Sequence, residues 1–205
     1  MTTNQPTTNQ PTSTNGYNET AQFLAPQAPT TAGMTTGDYF AQPYNTMAAG
    51  FYFSDYEEYT AKAQALRDPF CSPVEEFEIQ AIDLDRAQSE LFEALKIDQS
   101  TLERWFDEVV YLDEHDMAAV FFLVDNSGYD LDSAMDKKDD VSLHHGDLLD
   151  AATELFDECY ASSIPDNLKS YIDYEAFAYD CRCSGDMVEF SFGGSTYTCT
   201  SANHC

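Results

Sequence analysis

The chain has 205 residues, of which 37 are Asp or Glu and only 9 are Lys or Arg, so its formal net charge is −28. Because binding to nucleic acid and to anionic membranes relies on Lys and Arg, this balance argues against both as ligands. Hydrophobic residues make up 43% of the chain, which is enough for a core in part of it, whereas self-repulsion among the acids favours an elongated shape.

The first 36 residues differ in composition from the rest of the chain. They are rich in Thr, Asn, Gln and Pro, and TTNQP occurs there twice in succession. A segment with so little apolar surface does not offset the entropy of folding, so we predict a disordered tail over residues 1–36. The segment also lacks the basic and apolar regions of a signal peptide, and we expect a protein of the cytoplasm with reduced cysteines.

Residues 37–84 are predicted to form a small, strand-rich α+β unit. DYFAQP and AGFYFS carry closely spaced aromatic residues, which are typical of two strands joined through PYNT. Ser54 and Glu57 have the spacing of a capping box, which predicts a helix through about Leu66. In VEEFEIQAI apolar residues alternate with acidic ones, as expected of a third, half-buried strand.

Residues 85–139 change to helical periodicity and are predicted to form a central helical unit. Regularly spaced Leu and Phe residues predict a first helix, and Ser100 with Glu103 predicts the capping box of a second. A third helix is expected to run from about Asp113 to a C-cap at Gly128, and DLDSAMDKK is expected to be a short fourth helix.

Residues 140–205 are predicted to form a C-terminal α+β unit. VSLHH indicates a short strand, and GDLLDAATELFDECY has the spacing of a strongly amphipathic helix. A further helical stretch is expected after IPDN and through YIDYEAFAYD. DMVEFSFGG and STYTCT then predict a β-hairpin that turns at Gly193 and Gly194. The whole chain is thus predicted to be an elongated α+β protein of three small units.

Acidic residues recur along the predicted helices at intervals of three or four residues. Neighbours at that spacing lie about 5–6 Å apart, and B-DNA carries one phosphate charge per about 1.7 Å of its axis. Packed helices can therefore approach the charge density of a duplex, although a solubilising acidic face is the alternative interpretation. We name the candidate phosphate-mimicking carboxylates the acidic surface, which comprises Asp107, Glu108, Asp113, Glu114, Asp116, Asp130, Asp132, Asp136, Asp147, Asp150, Glu154, Asp157, Glu158, Asp173, Glu175 and Asp180.

A zinc site is one alternative use of the C-terminal region. Cys181-x-Cys183 together with Cys199, His204 and Cys205 supplies ligands that zinc favours. The spacing argues against it, because a zinc knuckle usually has two to four residues between its paired cysteines. Reduced thiols without a metal are the simpler interpretation, and we expect no metal.

Catalysis and calcium binding have weaker support. DNSGYDLDSAMD resembles a calcium loop, but Tyr129 and Asp130 occupy the positions that need the third ligand and the glycine. His144 and His145 beside Asp147 could act as acid and base, but no nucleophile motif or glycine-rich phosphate loop accompanies them. On a strand, one histidine should point inward and the other outward. We therefore expect neither an enzyme nor a cofactor site.

The chain resembles the ArdA family of antirestriction proteins over about residues 38–205. DYFAQPYNTMAAGFYF is similar to the family's opening strand pair, and VEEFEIQAID is similar to its E-E-aromatic-x-I-x-D/E strand. The most specific similarity is IPDNLKSYIDYEAFAYD, which follows the family pattern IP-x-x-L-x-x-YIDYEA-aromatic-x-x-D. The tail, the number of C-terminal cysteines and the run after Cys181 depart from the family pattern.

This resemblance implies a homodimeric DNA mimic that occupies the DNA-binding groove of a host Type I restriction–modification enzyme and blocks cleavage, often modification too. It implies an antirestriction motif within about residues 155–180 and places Asp173, Glu175 and Asp180 on the acidic face. The alternative is an acidic module that binds another basic DNA-binding protein of the host. The residues for which the resemblance implies packing or dimer contact are Leu168, Tyr171, Ile172, Tyr174 and Phe177.

Overall fold

The computed structural model describes residues 37–204, apart from the side chain of His204, so the predicted tail lies outside the described residues. Within this range the chain forms seven α-helices and two antiparallel sheets of three strands each, which confirms the predicted α+β class. None of these helices is both long and apolar enough to cross a membrane.

The first sheet is built from three antiparallel strands with the first strand in the centre. Its strands are β1 (Tyr39–Pro43), β2 (Phe51–Phe53) and β3 (Phe77–Ala81). Tyr39 and Phe53 face each other on the buried side, with their ring centroids 5.5 Å apart. Phe40 and Tyr52 form the next cross-strand pair, with centroids 4.8 Å apart. The two strands predicted from the closely spaced aromatic residues are therefore confirmed.

The N-cap of α1 (Tyr56–Ala65) lies one residue later than the predicted capping box places it. Asp55, and not Ser54, is the N-cap, because its carboxylate accepts a hydrogen bond from the backbone N–H of Glu58. The Glu58 carboxylate in turn accepts a hydrogen bond from the backbone N–H of Ser54. The reason for the shift is the fully buried Phe53, which ends the preceding strand and leaves Ser54 in the turn.

The central part of the chain consists of four helices. They are α2 (Arg86–Leu95), α3 (Leu102–Asp107), α4 (Glu114–Ser127) and α5 (Leu131–Lys137). Gly128 is the predicted C-cap of α4, with a left-handed φ of 73°. The predicted capping box of Ser100 and Glu103 is wrong. The Ser100 hydroxyl instead donates to the carboxylate of Asp98, which also accepts from the backbone N–H groups of Ser100 and Thr101, so α3 begins one residue later.

The C-terminal part contains the second sheet and two helices that pack against each other. Its elements are β4 (Leu143–His145), α6 (Leu148–Cys159), α7 (Tyr174–Ser184), β5 (Val188–Phe192) and β6 (Ser195–Cys199). The strand order is β4-β6-β5, and all pairs are antiparallel. The hairpin of β5 and β6 turns at the predicted residues, because Gly193 and Gly194 have φ values of 61° and 93° that other residues rarely adopt.

The predicted helical stretch after IPDN is shorter than expected. Lys169–Tyr171 forms a single 3₁₀ turn, Ile172 is extended, and α7 begins only at Tyr174. Asp173 is the N-cap of α7, since its carboxylate accepts a hydrogen bond of 2.9 Å from the backbone N–H of Ala176. An N-cap residue has non-helical dihedral angles, which is why a continuous helix cannot pass through Asp173.

The buried side chains form one large and one small cluster. The large cluster extends from β1 through the central helices to Phe192 and Tyr197 of the second sheet, and thus draws on all three predicted units. Near its centre, the indole N–H of the fully buried Trp105 donates a hydrogen bond of 2.8 Å to the Tyr39 hydroxyl. The division into units at residues 84 and 139 stays a prediction. The small cluster comprises Ala151, Ala152, Ala178, Cys181 and Met187.

Candidate acidic interaction surface

The carboxylates of the acidic surface lie outside the buried core of the described chain. All of them are exposed except Asp116, which is half-buried. Lys138 accounts for the difference, because its Nζ lies 2.7 Å from a carboxylate oxygen of Asp116 and 2.7 Å from one of Asp139. Hydrogen bonds to Asp116 and Asp139 raise the pKa of Lys138, so this group keeps its positive charge at neutral pH.

Four members of the acidic surface are N-caps of helices, a role that was not predicted for them. Each carboxylate accepts a hydrogen bond of 2.9 Å from the backbone N–H three residues later. The four caps are Asp113 of α4, Asp130 of α5, Asp147 of α6 and Asp173 of α7. The signal was present in the sequence, because Asp is a preferred N-cap and each one directly precedes a helical segment.

The caps fix negative charges in defined positions. A carboxylate at a helix N-terminus is also favoured by the helix dipole, so its ionised form is stabilised. At Asp130 the hydrogen bonds from the backbone N–H and the hydroxyl of Ser133 lower the pKa of the carboxyl group. These carboxylates are therefore less free to reorient than acids on a simple solubilising face.

A stripe of carboxylates extends along α6. It comprises Asp147, Asp150, Glu154, Asp157 and Glu158. With a rise of about 1.5 Å per residue, one carboxylate recurs about every 4 Å along the helix axis, close to the spacing of about 3.4 Å per phosphate along one DNA strand. The opposite face of α6 packs on α7 through the buried Ala151 and Ala152. The amphipathic sequence of α6 thus separates a core face from a charged face.

Basic side chains neutralise only part of the acidic surface. Arg104 contacts both Glu108 and Asp132, with 3.2 Å between its Nε and the Glu108 carboxylate. Hydrogen bonds to these two carboxylates raise the pKa of Arg104 despite its partial desolvation. The members that form no ion pair with any described residue include Asp107, Asp136, Asp150, Glu158, Glu175 and Asp180.

The two adjacent histidines lie on opposite sides of β4, as the strand pattern predicts. His144 is half-buried, and its Nδ1 lies 2.7 Å from a carboxylate oxygen of Glu154. His145 is exposed, and its ring meets that of Tyr197 edge-on with 5.1 Å between centroids. Asp147 does not pair with either histidine but caps α6. The structure therefore uses these residues for packing and capping.

The residues of the implied antirestriction motif divide into two groups. Phe177 packs edge-on against Phe156, with 5.1 Å between ring centroids, and Tyr174 donates a hydrogen bond of 2.6 Å to the Asp157 carboxylate. Ile172 is half-buried. Leu168 and Tyr171, by contrast, are 49% and 81% exposed, so neither is a core residue of this chain.

An aromatic pair at the end of α6 belongs to the same region. The sequence places Phe156 on the apolar face of this helix, whereas Tyr160, its C-cap residue, was not singled out; the two ring centroids lie 5.4 Å apart. Tyr160 is also 6.2 Å from Phe177 and is 52% exposed. The spacing of four residues was the available signal. We name the exposed side chains of Tyr160, Leu168 and Tyr171 the apolar patch.

The cysteines of the zinc candidate do not share one environment. Cys181 and Cys199 are buried, whereas Cys183 is exposed. Burial is the main cause that raises the pKa of the Cys181 thiol, which disfavours the thiolate that a metal requires. The side chain of His204 and all of Cys205 lie outside the described part. Residues 37–203 hold no group of His, Cys, Asp and Glu side chains placed to bind a metal ion.

Comparison with known proteins identifies the family of the chain. The profile of the family described as antirestriction protein (ArdA) matches residues 33–195. The match includes all seven helices, five of the six strands and the whole stretch from residue 155 to 180. No curated protein and no solved structure matches the chain. Since the profile covers well over half of the sequence, the chain belongs to the ArdA family of antirestriction proteins.

Proposed function

We propose that this antirestriction protein is a non-catalytic DNA mimic that binds in the DNA-binding groove of a host Type I restriction–modification enzyme. Its carboxylates take the positions of phosphates and so prevent cleavage, and modification as well where both activities use the groove. The observation that carries this proposal is the row of exposed carboxylates on α4 to α7 in a member of an antirestriction family.

The driving force follows from the electrostatics of DNA binding. A groove that binds DNA presents Lys and Arg, and a dense row of carboxylates attracts counterions as a phosphate backbone does. When protein and groove meet, these counterions are released, so affinity should fall steeply as salt rises. On α6 and α7, Asp150, Glu158, Glu175 and Asp180 supply charges that form no ion pair within the described chain.

The N-caps contribute through preorganisation. Asp113, Asp130, Asp147 and Asp173 are already held by backbone hydrogen bonds, so binding a basic groove orders few additional side-chain rotations. Their backbone N–H partners also partly offset the loss of water around each carboxylate when the groove closes over it. These acids should therefore bind more favourably than freely rotating ones.

We further propose that the protein acts as a homodimer in the host cytoplasm, with the apolar patch in the dimer contact. Tyr160 lies against the half-buried Phe177, with 6.2 Å between ring centroids, and Leu168 and Tyr171 expose large side chains in the stretch just before the half-buried Ile172. Exposed apolar surface within one region is typical of interaction sites, which makes these three side chains the candidates. A second copy at this patch would extend the acidic surface beyond a single chain.

The decisive experiment is competition with DNA. Purified protein is added to a Type I restriction enzyme and labelled DNA that carries its site, and DNA binding and cleavage are measured at several salt concentrations. We expect inhibition at low salt that weakens as salt rises, because the contacts are between exposed charges. If saturating protein leaves binding and cleavage unchanged at low salt, the proposal is wrong for that enzyme.

Variants test whether the charges act collectively. Asp136→Asn, Asp150→Asn, Glu158→Gln and Asp180→Asn together remove carboxylates that form no ion pair with a described residue. At about 0.2–1 kcal/mol for each exposed contact, the half-inhibitory concentration should rise about fourfold or more, whereas Glu158→Gln alone should do little.

A matched control neutralises equally many acids outside the acidic surface: Glu75→Gln, Glu78→Gln, Glu93→Gln and Asp125→Asn. This variant should inhibit almost as well as the unmodified protein. Equal loss in both variants would show that net charge alone matters. Capture of other basic host proteins from a lysate, with no restriction subunits among them, would instead support the acidic interaction module.

A further inference from the structure

A groove at the N-terminal end of the described chain shares only Asp107 with the acidic surface. It lies between the start of β1, the first turns of α1 and residues 106–111, which comprise the end of α3 and the 3₁₀ turn after it. We name it the N-terminal groove and define it by the side chains of Asp38, Glu57, Leu84, Phe106, Asp107 and Tyr111.

The floor of the N-terminal groove is apolar and fixed by packing. Leu84 and Phe106 are half-buried, and Phe106 meets Tyr39 edge-on with 4.9 Å between ring centroids. Tyr39 is in turn held by the hydrogen bond from Trp105. Because the core holds Phe106 from behind, the floor offers a preformed apolar contact to a ligand.

One wall of the groove is an aromatic ring that the core does not use. Tyr111 ends a 3₁₀ turn of residues 109–111 and is 79% exposed. A ring that is this exposed contributes almost no hydrophobic free energy to folding, because its apolar area stays in water. The face of a tyrosine ring attracts a cation within about 6 Å of its centroid, and more strongly Arg or Lys than a neutral group.

The rim of the groove carries only negative formal charge. Asp38, Glu57 and Asp107 are exposed and form no ion pair with any described residue, and no Lys, Arg or His lines the groove there. Carboxylates beside an aromatic ring exclude an anionic ligand and complement a cationic one. The apolar floor additionally favours a cation on an aliphatic stem, since Lys and Arg bury their stems against apolar surface.

We propose that the N-terminal groove binds an Arg- or Lys-bearing segment of a protein partner. The stem and an apolar neighbour of the segment lie on Leu84 and Phe106, and the cation lies against Tyr111 between Glu57 and Asp107. This inference deepens the proposed function, on which it rests for the identity of the partner as the restriction enzyme. It assigns the groove a specific anchoring contact, in addition to the distributed attraction of the acidic surface.

The test uses short peptides as probes and the full chain as the protein. A fluorescently labelled peptide with one Arg flanked by Leu residues is titrated and followed by anisotropy, and the binding site is mapped by NMR shifts of Tyr111 and Leu84. We expect saturable binding that is lost when Arg is replaced by Gln and weakened when the Leu residues are replaced by Ser. Shifts confined to the acidic surface on α6 and α7 would overturn the assignment of the groove.

Substitutions test whether the peptide binds in the groove or is attracted only by the overall negative charge. Tyr111→Ala should weaken peptide binding about threefold to fivefold, as expected for a partly exposed cation–aromatic contact. The pair Glu57→Gln and Asp107→Asn should weaken it to a similar degree, whereas Tyr44→Ala and the equally charged pair Glu93→Gln and Asp125→Asn should leave it unchanged. Equal weakening by both pairs would overturn the proposal, as would an unchanged affinity for Tyr111→Ala.

A failure of the groove to bind the peptide can be told apart from a failure of the protein to inhibit the restriction enzyme. Peptide binding is measured without any restriction enzyme, so it reports on the groove even if the protein does not inhibit that enzyme. Conversely, inhibition that persists unchanged in Tyr111→Ala, with normal peptide binding by the unmodified chain, would remove the restriction enzyme as the groove's partner. The near-ultraviolet spectrum of the buried Trp105 verifies that each variant remains folded.

Discussion

At the residue scale, one buried pair joins the first sheet to the central helices. The indole N–H of Trp105 donates to the hydroxyl of Tyr39, and both residues are almost completely buried. Tyr39 also contacts Phe53, Phe92 and Phe106 through its ring. This hydrogen bond favours one packing of β1 against α3. In any other packing the buried indole N–H of Trp105 and the buried Tyr39 hydroxyl would lack a hydrogen-bond partner.

Tyr39→Phe tests this pair. The substitution keeps the ring but leaves the Trp105 N–H without its acceptor, so we expect a loss of about 1–3 kcal/mol in the free energy of unfolding. Urea denaturation monitored by tryptophan fluorescence measures the loss. Tyr44→Phe is the control, since Tyr44 is exposed and its substitution should have no measurable effect. Equal stability of Tyr39→Phe and the unmodified protein would contradict the assigned role.

The same pair predicts a dependence on alkaline pH. Burial is the main cause that raises the pKa of Tyr39, with further contributions from Asp38 and Asp85, although the Trp105 hydrogen bond lowers it. Above a pH of about 10 the unfolded chain loses the Tyr39 proton while the folded chain keeps it, so stability falls as pH rises. The stability gap between the unmodified protein and Tyr39→Phe should therefore narrow above that pH.

At the element scale, a single carboxylate ties the C-terminal hairpin to α2. Glu90 accepts a hydrogen bond of 2.8 Å from the backbone N–H of Gly193, and its other oxygen lies 2.8 Å from Nε of Arg86. The hairpin turn thus contacts a helix about a hundred residues earlier in the chain. Hydrogen bonding to Arg86 is the main cause that lowers the pKa of Glu90.

Glu90→Ala should loosen this connection. We expect a loss of about 1–2 kcal/mol in the free energy of unfolding and faster amide hydrogen exchange at Gly193, because its N–H loses an acceptor. Glu90→Gln keeps an acceptor oxygen and should cost less. Since the pKa is lowered on folding, the contribution is present above a pH of about 4 and lost as pH falls through the folded value. Unchanged exchange at Gly193 in Glu90→Ala would contradict the contact.

At the scale of the whole molecule, the net charge of −28 opposes compactness. Few basic residues are available to offset it, and Lys138 and Arg104 each already contact two carboxylates. The same charge that we propose for inhibition therefore reduces stability. Salt should act in opposite directions on these two properties.

We expect the thermal midpoint to rise as sodium chloride is increased to about 0.5 M, because the screening length shortens to a few ångströms and repulsion falls. Calorimetry measures the shift. The variant with Asp136, Asp150, Glu158 and Asp180 replaced by amides should show a smaller rise, since it repels itself less. A midpoint independent of salt, or a larger rise in that variant, would contradict the role of self-repulsion.

Much of the local structure could be predicted from the sequence, since it depends on neighbouring residues. The aromatic alternation of β1 and β2, the glycine C-cap at Gly128 and the hairpin turn at Gly193 and Gly194 are all local signals. The errors were local too: Asp55 rather than Ser54 caps α1, and the Ser100 hydroxyl donates to Asp98 instead of capping α3.

The sequence by itself determined the charge, the α+β class, the family resemblance and the excess of carboxylates, because these follow from composition and from short-range patterns. Only the tertiary structure decided which acids cap helices, which pair with Arg104 or Lys138, and which remain unpaired. It also brought Asp38, Glu57 and Tyr111 to one groove. The reason is physical: such groupings depend on packing between distant segments, and packing depends on the whole core rather than on any one stretch of sequence.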